Sequence, residues 1–187
     1  MTVEEIFSQL VAHAIEGLMV HAQMAEYYDF LGLKGYAKCH EYHYFLESCN
    51  YRDMCEYYIR HFNKLPMELP FENPKIIPDA WYKYTRLDVD ASTRKSAILA
   101  GMTKWVDWET KTKQLYERMY AELINMNQVA AAIKVQHEIE CVDDELAEAY
   151  QKHISRKAID FDISSIMEMQ ESLCKKYKKK LEEVKIC

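Results

Sequence analysis

Apolar residues recur three and four positions apart along most of this chain, the spacing that gathers one face of a helix. Val3, Ile6, Leu10, Ala14, Met24, Tyr28 and Leu31 form the first such row. Thr2 stands before it as an N-cap, and Glu5 three residues on completes a capping box. Gly32 and Gly35 then punctuate the pattern. A first helix over 2–31 therefore gives way to a second over 34–63, which carries Cys39, Phe45, Leu46, Met54 and Tyr57 inward. A break this short makes the two helices antiparallel neighbours.

From Leu65 to Asp90 the period disappears. Pro66, Pro70, Pro74 and Pro78, with aromatic Phe71, Trp81, Tyr82 and Tyr84, exclude a helix. A connection of this length is uncommon unless it has a task, such as crossing the length of a bundle. A third helix over 91–124 begins after Asp90 or Ser92 and turns Ile98, Met102, Trp105, Tyr116, Met119 and Leu123 inward. Asn125-Met126-Asn127 makes a tight turn, a fourth helix covers 128–156, and Asp162 or Ser164 caps a last helix over 162–185. Short link, long crossover, short link is the wiring of an all-α four-helix bundle, here with an additional C-terminal helix. The whole of 1–187 is expected to be a single domain.

Composition supports the pattern and narrows the partners. Only four Gly and four Pro interrupt a chain rich in Glu, Lys, Ala, Met and Leu. A net charge of −6 argues against nucleic acid, which calls for a basic face. The Lys-rich end from Lys175 to Lys185 is diluted by Glu182 and Glu183 and reads as a solvated helix end. No window approaches the roughly 18 apolar residues of a membrane span. Thr2, Glu4 and Glu5 do not open a signal peptide. The six cysteines form no CxxC and fall mostly inside predicted helices, as small buried residues of a reducing compartment, so the cytoplasm is the expected location. Fourteen tyrosines suit a homo-oligomer interface, and equally a bulky monomer core.

The candidate chemistry lies where the bundle seam ought to be apolar. His40, His43 and Glu47 share one face of the second helix; His137, Glu140 and Asp144 repeat that spacing on the fourth. Glu109 interrupts the apolar row of the third helix, and His13 and His21 lie on or beside that of the first. Burying a bare carboxylate costs several kcal/mol, so such groups are paired or bind metal. Any one of these sets also fits a solvated face, and a lone His is more often a core residue than a ligand. Glu47, Glu109 and Glu140 on three helices of one bundle favour metal, with iron, as a pair in di-metal carboxylate bundles, or manganese as the matching ion.

Gln23-Met24, the run Tyr28-Asp29-Phe30-Leu31-Gly32-Leu33-Lys34-Gly35-Tyr36 and the ending Asn63-Lys64-Leu65-Pro66 resemble the first helical hairpin of ferritins. The second half of the resemblance rests on Glu109 and Gln136-His137-Glu138, and the whole covers about residues 3–156. It implies Fe(II) oxidation at a di-iron centre, iron storage and a multimeric cage. It places Glu47 at the bridging glutamate of the second helix, Glu109 at the glutamate of the third, and Glu140 with Asp143 or Asp144 at the acidic cluster of the fourth. The chain departs from the family where Glu-x-x-His reads Glu47-Ser48-Cys49-Asn50, where Ala14 holds the glutamate position of the first helix, and where His21 stands for a tyrosine. His21, His43 or His13 then substitutes as ligand, or Glu16 does through a one-turn slip, or the site is degenerate.

The expected metal residues are therefore Glu47, Glu109, Glu140, Asp144, His43 and His21. The leading expectation is a ferritin-like iron protein, with ferroxidase activity as its enzyme form. The alternative is a ferritin-like scaffold serving as a structural or interaction module. A rubrerythrin-like or manganese-dependent oxidase ranks last, since it would carry more complete Glu-x-x-His motifs.

Overall fold

Among the described residues, five α-helices make up the regular structure: α1 Val3–Phe30, α2 Lys34–Phe62, α3 Ala91–Asn125, α4 Val129–Ala158 and α5 Ile163–Glu183. The computed structural model describes residues 1–66, 74–77, 85–86 and 89–184. The crossover residues Pro70, Phe71, Pro78, Trp81, Tyr82 and Tyr84 lie outside them, as do Lys185 and Cys187.

Local chemistry sets the helix ends. Thr2 and Glu5 exchange both bonds of the capping box. Of the alternatives for α3 and α5, Asp90 caps the first by accepting from the Thr93 N–H at 2.7 Å, and Asp162 the second from the Ser165 N–H at 2.8 Å. Asn63 ends α2 in the left-handed region, with φ 51°, and Asn127 makes the α3–α4 turn with φ 57°, conformations asparagine tolerates.

Side-chain pairs fix the directions. Glu4 meets Tyr58 and Lys64, while His21 meets His40, so α1 and α2 run antiparallel. The Met1 amino group approaches Glu122, and the Tyr27 hydroxyl donates to the Ala97 carbonyl at 3.1 Å, so α1 and α3 are antiparallel too. Lys134 reaches Asp53 and Glu145 faces His43, which sets α4 against α2. Thus α2 and α3 point the same way, and the chain must travel the length of the bundle between them. This is why residues 63–90 are long while the 31–33 and 126–128 links are short.

Two apolar clusters fill the bundle. One joins Val20, Met24, Tyr28, Tyr36, Met102 and Trp105 with Ile166 and Tyr177 of α5. The other joins Ile6, Phe7, Leu10, Met54, Tyr58, Met119 and Val135. A buried polar layer lies between them. On α2 the inner row runs through Tyr36, His40, His43, Glu47, Met54 and Tyr58, so Phe45, expected inside, is exposed. The polar residues had taken the inner positions, and the apolar pattern alone pointed to the wrong face. The cysteine expectation also needs correction: Cys39 is buried, but Cys55 and Cys174 are half-buried and Cys141 is exposed.

Helix α5 packs across α2 through one close approach. The Gly35 N–H donates to Gln170 Oε1 at 2.7 Å, and a Cβ at Gly35 would stand 2.7 Å from the Gln170 backbone oxygen. That oxygen is helix backbone and cannot rotate away. Gly35→Ala should therefore destabilise the fold by about 1–3 kcal/mol through overpacking. Equilibrium denaturation measures it, and an unchanged midpoint would mean that α5 is not seated on Gly35.

Candidate metal centre

One residue from each of the four bundle helices meets in the polar layer: His21 from α1, His43 from α2, Glu109 from α3 and Glu145 from α4. His21 Nε2 lies 3.5 Å from Glu109 Oε1, and His43 Nδ1 lies 3.5 Å from Glu145 Oε1. His21, His43 and Glu145 can each offer an atom within 4.8 Å of the other two; among the described residues they form the one such group. A second ring of groups holds them. His21 Nδ1 pairs with His40 Nδ1 at 3.0 Å, and Trp105 Nε1 donates to Glu109 Oε1 at 2.9 Å. His43 Nε2 faces Glu148 at 3.6 Å, and Glu148 accepts from Lys152 at 2.6 Å and from the Tyr177 hydroxyl of α5. Glu47 enters from α2 and accepts from Asn50 Nδ2 at 3.4 Å; that amide also donates to the Tyr116 hydroxyl at 3.3 Å.

Several polar atoms in this layer have no hydrogen-bond partner: His21 Nε2, both ring nitrogens of His43, His40 Nε2 and Glu109 Oε2. An unpaired buried polar atom costs about 1–3 kcal/mol. Several of them converging on one point, all imidazole nitrogen or carboxylate oxygen, make a donor set that fits a divalent cation such as iron. A cleft of about 370 Å³ between α2 and α4 leads to this point, with Glu47, Asp53, Glu138 and Glu145 on its walls. Asp53 and Glu138 there share the Lys134 ammonium, while Glu47 and Glu145 carry the lining on to the polar layer.

The structure brings four of the six expected residues together: His21, His43, Glu47 and Glu109. It leaves Glu140 and Asp144 exposed on the outer face of α4. At about 100° per residue they point roughly 140° and 100° away from Glu145, which occupies the inner position. The inner row of α4 is Val135, Glu138, Val142, Ala149 and Lys152, and Glu145, three residues after Val142, continues it. That apolar row was the signal for Glu145; counting from His137, which is exposed, missed it. Glu148 was missed for the same reason. His13 stacks on Trp108 and bonds Thr112, and Glu16 pairs with His13, so neither reaches the centre. Ala14 is buried. Facing Glu47 from α1 is Gly17, where a Cβ would come within 2.8 Å of the Glu47 carboxylate.

Comparison of the sequence with protein-family models and with curated proteins finds no match. Solved structures do match. An open-pore ferritin from the hyperthermophilic archaeon Archaeoglobus fulgidus superposes with a TM-score of 0.75 over 92% of this chain and 94% of that one, at 16% identity. This chain has the ferritin fold. An engineered closed form of the A. fulgidus ferritin gives a TM-score of 0.75 over 93% and 96% of the two chains, at 16% identity. A humanised archaeal ferritin gives 0.74 over 93% and 97%, at 15%. Among the described residues of this ferritin-like chain, no helix is long and apolar enough to cross a membrane.

Within the ferritin-like bundle the centre's own side chains sum close to neutral. Burial, with repulsion from Glu145, pushes Glu109 up to about 8. Burial and the same neighbours raise Glu47 well above the carboxylate range. Burial drives His21 down to about 3 and holds His40 well below the imidazole range. For His43 burial opposes the charge, but Glu145 and Glu148 prevail and raise it. Burial likewise opposes the charge on Glu145, but His43 prevails and lowers it. The centre thus holds one ion pair, His43 with Glu145, among neutral partners.

The sign of the pH dependence follows. Above pH 6.5 the unfolded chain has lost the protons of Glu109 and Glu47, which leave near 4.5, and that of His43, which leaves near 6.5, while the folded chain keeps all three, so rising pH costs stability. Between about 4.5 and 6.5 the slope levels off, because His21 and His40, protonated only when unfolded, offset Glu47 and Glu109, protonated only when folded. With metal chelated, the midpoint of unfolding should fall between pH 6.5 and 8, the window set by the Glu109 value of about 8. Glu109→Gln should flatten part of that fall, leaving the shares of His43 and Glu47. Parallel curves for the two proteins would show that Glu109 is ionised in the native state.

Proposed function

We propose that this chain binds Fe(II) in the centre between its four bundle helices and supports iron oxidation, storage or both as part of a multimeric assembly. The carrying observation is that His21, His43 and Glu145 bring donor atoms within 4.8 Å of one another in the polar layer, with Glu109 3.5 Å from His21 and unpartnered nitrogens on both histidines. The ferritin fold supports the same reading, and so do the names of the A. fulgidus proteins that share it.

Iron is the substrate in this scheme. The cleft between α2 and α4 gives the cation a way from solvent to Glu47 and Glu145. Glu109, held protonated near neutral pH, gives up its proton when the cation arrives, so binding is favoured by rising pH. Trp105 keeps one Glu109 oxygen in place, and the other has no partner. Each Fe(II) then gives one electron to dioxygen or peroxide, and the carboxylates stabilise the higher charge of Fe(III). Exposed Phe45, Ile133 and Ile154 give the outer faces of α2 and α4 apolar area suited to a homo-oligomer, a cage in its fullest form.

One observation favours the second reading, a degenerate site on a structural or interaction scaffold. Asn50 stands where the Glu-x-x-His pattern needs a histidine, and Gly17 offers no ligand opposite Glu47. A single experiment separates the two. The native oligomer is given Fe(II) in air, and iron per chain is read with particle size on one column. Iron should travel with the native protein, while Glu109→Ala combined with Glu145→Ala should keep its particle size and lose most of the iron. A native protein that takes up none would establish the scaffold reading.

A further inference from the structure

We infer that the centre is built for one metal ion per chain, held by His21, His43 and Glu145, rather than for a pair of ions. The inference rests on the proposal that the centre binds iron, and it sharpens the ligand set.

Both halves of the layer point to this. On one side, two imidazoles and a carboxylate gather with their donor atoms within 4.8 Å of one another. Two histidines and one carboxylate, with the remaining positions open, are sufficient to hold a single Fe(II). Each imidazole also has a group set against its other nitrogen. His40 takes Nδ1 of His21 at 3.0 Å, which leaves Nε2, the unpartnered atom, for the ion. Glu148 faces Nε2 of His43 at 3.6 Å, which leaves Nδ1, on the Glu145 side, for the ion. Glu148 is itself fixed by Lys152 at 2.6 Å, Lys176 at 3.0 Å and Tyr177. Supporting partners of this kind orient ligand histidines and select their tautomer.

On the other side, protein groups fill the place of a second ion. Asn50 turns its amide N–H toward Glu47 and Tyr116, and its Oδ1, which has no partner, is a weaker ligand for a transition-metal ion than the imidazole that the pattern calls for. No carboxylate can come from α1, because the Gly17 position lies so close that a Cβ would meet Glu47 Cδ and Oε1 at 2.8 Å. Glu47 and Glu109 are left there, and the imidazole beside Glu109, His21 with Nε2 at 3.5 Å, is already a ligand of the first ion.

Anaerobic titration of the metal-free native protein with Co(II), followed by its visible bands and by equilibrium dialysis, tests the inference. Saturation is expected at one Co(II) per chain. His43→Ala and the isosteric Glu145→Gln should abolish that binding, and Glu47→Ala should leave the stoichiometry at one. His40→Ala should keep one site with affinity lowered about 10–100-fold, as for loss of a supporting partner. Far-UV circular dichroism and melting of each variant without metal establish that it is folded. Saturation at two per chain, reduced to one by Glu47→Ala, would overturn the single-ion assignment and leave the iron-binding proposal standing. Failure of the native protein to bind either Co(II) or Fe(II) would overturn both.

Discussion

Three imidazoles and three carboxylates cannot be withdrawn from water into the middle of a helical bundle as six independent charges. The desolvation penalty is several kcal/mol for each ion, well beyond what the fold has to spare. The centre is arranged around that constraint. Only His43 and Glu145 are held as an opposed pair, His21 and His40 remain neutral against each other, and Glu47 and Glu109 keep their protons. A divalent cation removes the constraint by supplying the missing positive charge. The polar layer that looks costly in the metal-free protein is in this sense complementary to an ion.

The rest of the structure accommodates this layer. Two apolar clusters above and below it supply the burial that offsets its cost. Trp105 bridges the two roles, packing in the core while its N–H holds Glu109. Helix α5 joins the same scheme. Its Tyr177 is fully buried and donates to Glu148, while Lys152 lies between them and over the Trp105 ring. An outer helix is thereby coupled to the orientation of His43 through one continuous set of hydrogen bonds and charges. The small residue at Gly35 lets α5 approach closely enough for this to occur.

Ferritin architecture at 16% identity shows how little of a bundle's topology depends on particular side chains. Inner and outer periodicity, cap positions and the length of each connection are sufficient, because each narrows where a helix can begin, end and turn. The chemistry is less forgiving. A substitution such as Asn for His at position 50 leaves the helix intact and changes what the seam can bind. Fold and site therefore carry separate arguments, and the functional proposal stands on the second.

The helices, their caps and the crossover were legible in the chain, because helix formation is governed by neighbours three and four residues apart and by local hydrogen bonds at the ends. Thr2, Glu5, Asp90, Asp162 and the Asn125–Asn127 turn are all local signals. His21, His43, Glu47 and Glu109 were legible as polar interruptions of apolar rows. Glu145 was not. Spacing tells which residues of α4 share a face but not which face turns inward, and an error of one row exchanges Glu145 for Glu140 and Asp144. Neither could the chain alone reveal that Gly17 lies against Glu47, that Asn50 bridges it to Tyr116, or that α5 sends Tyr177 to Glu148. Those contacts join residues 29 to 66 positions apart, and the rotation and approach of whole helices decide them.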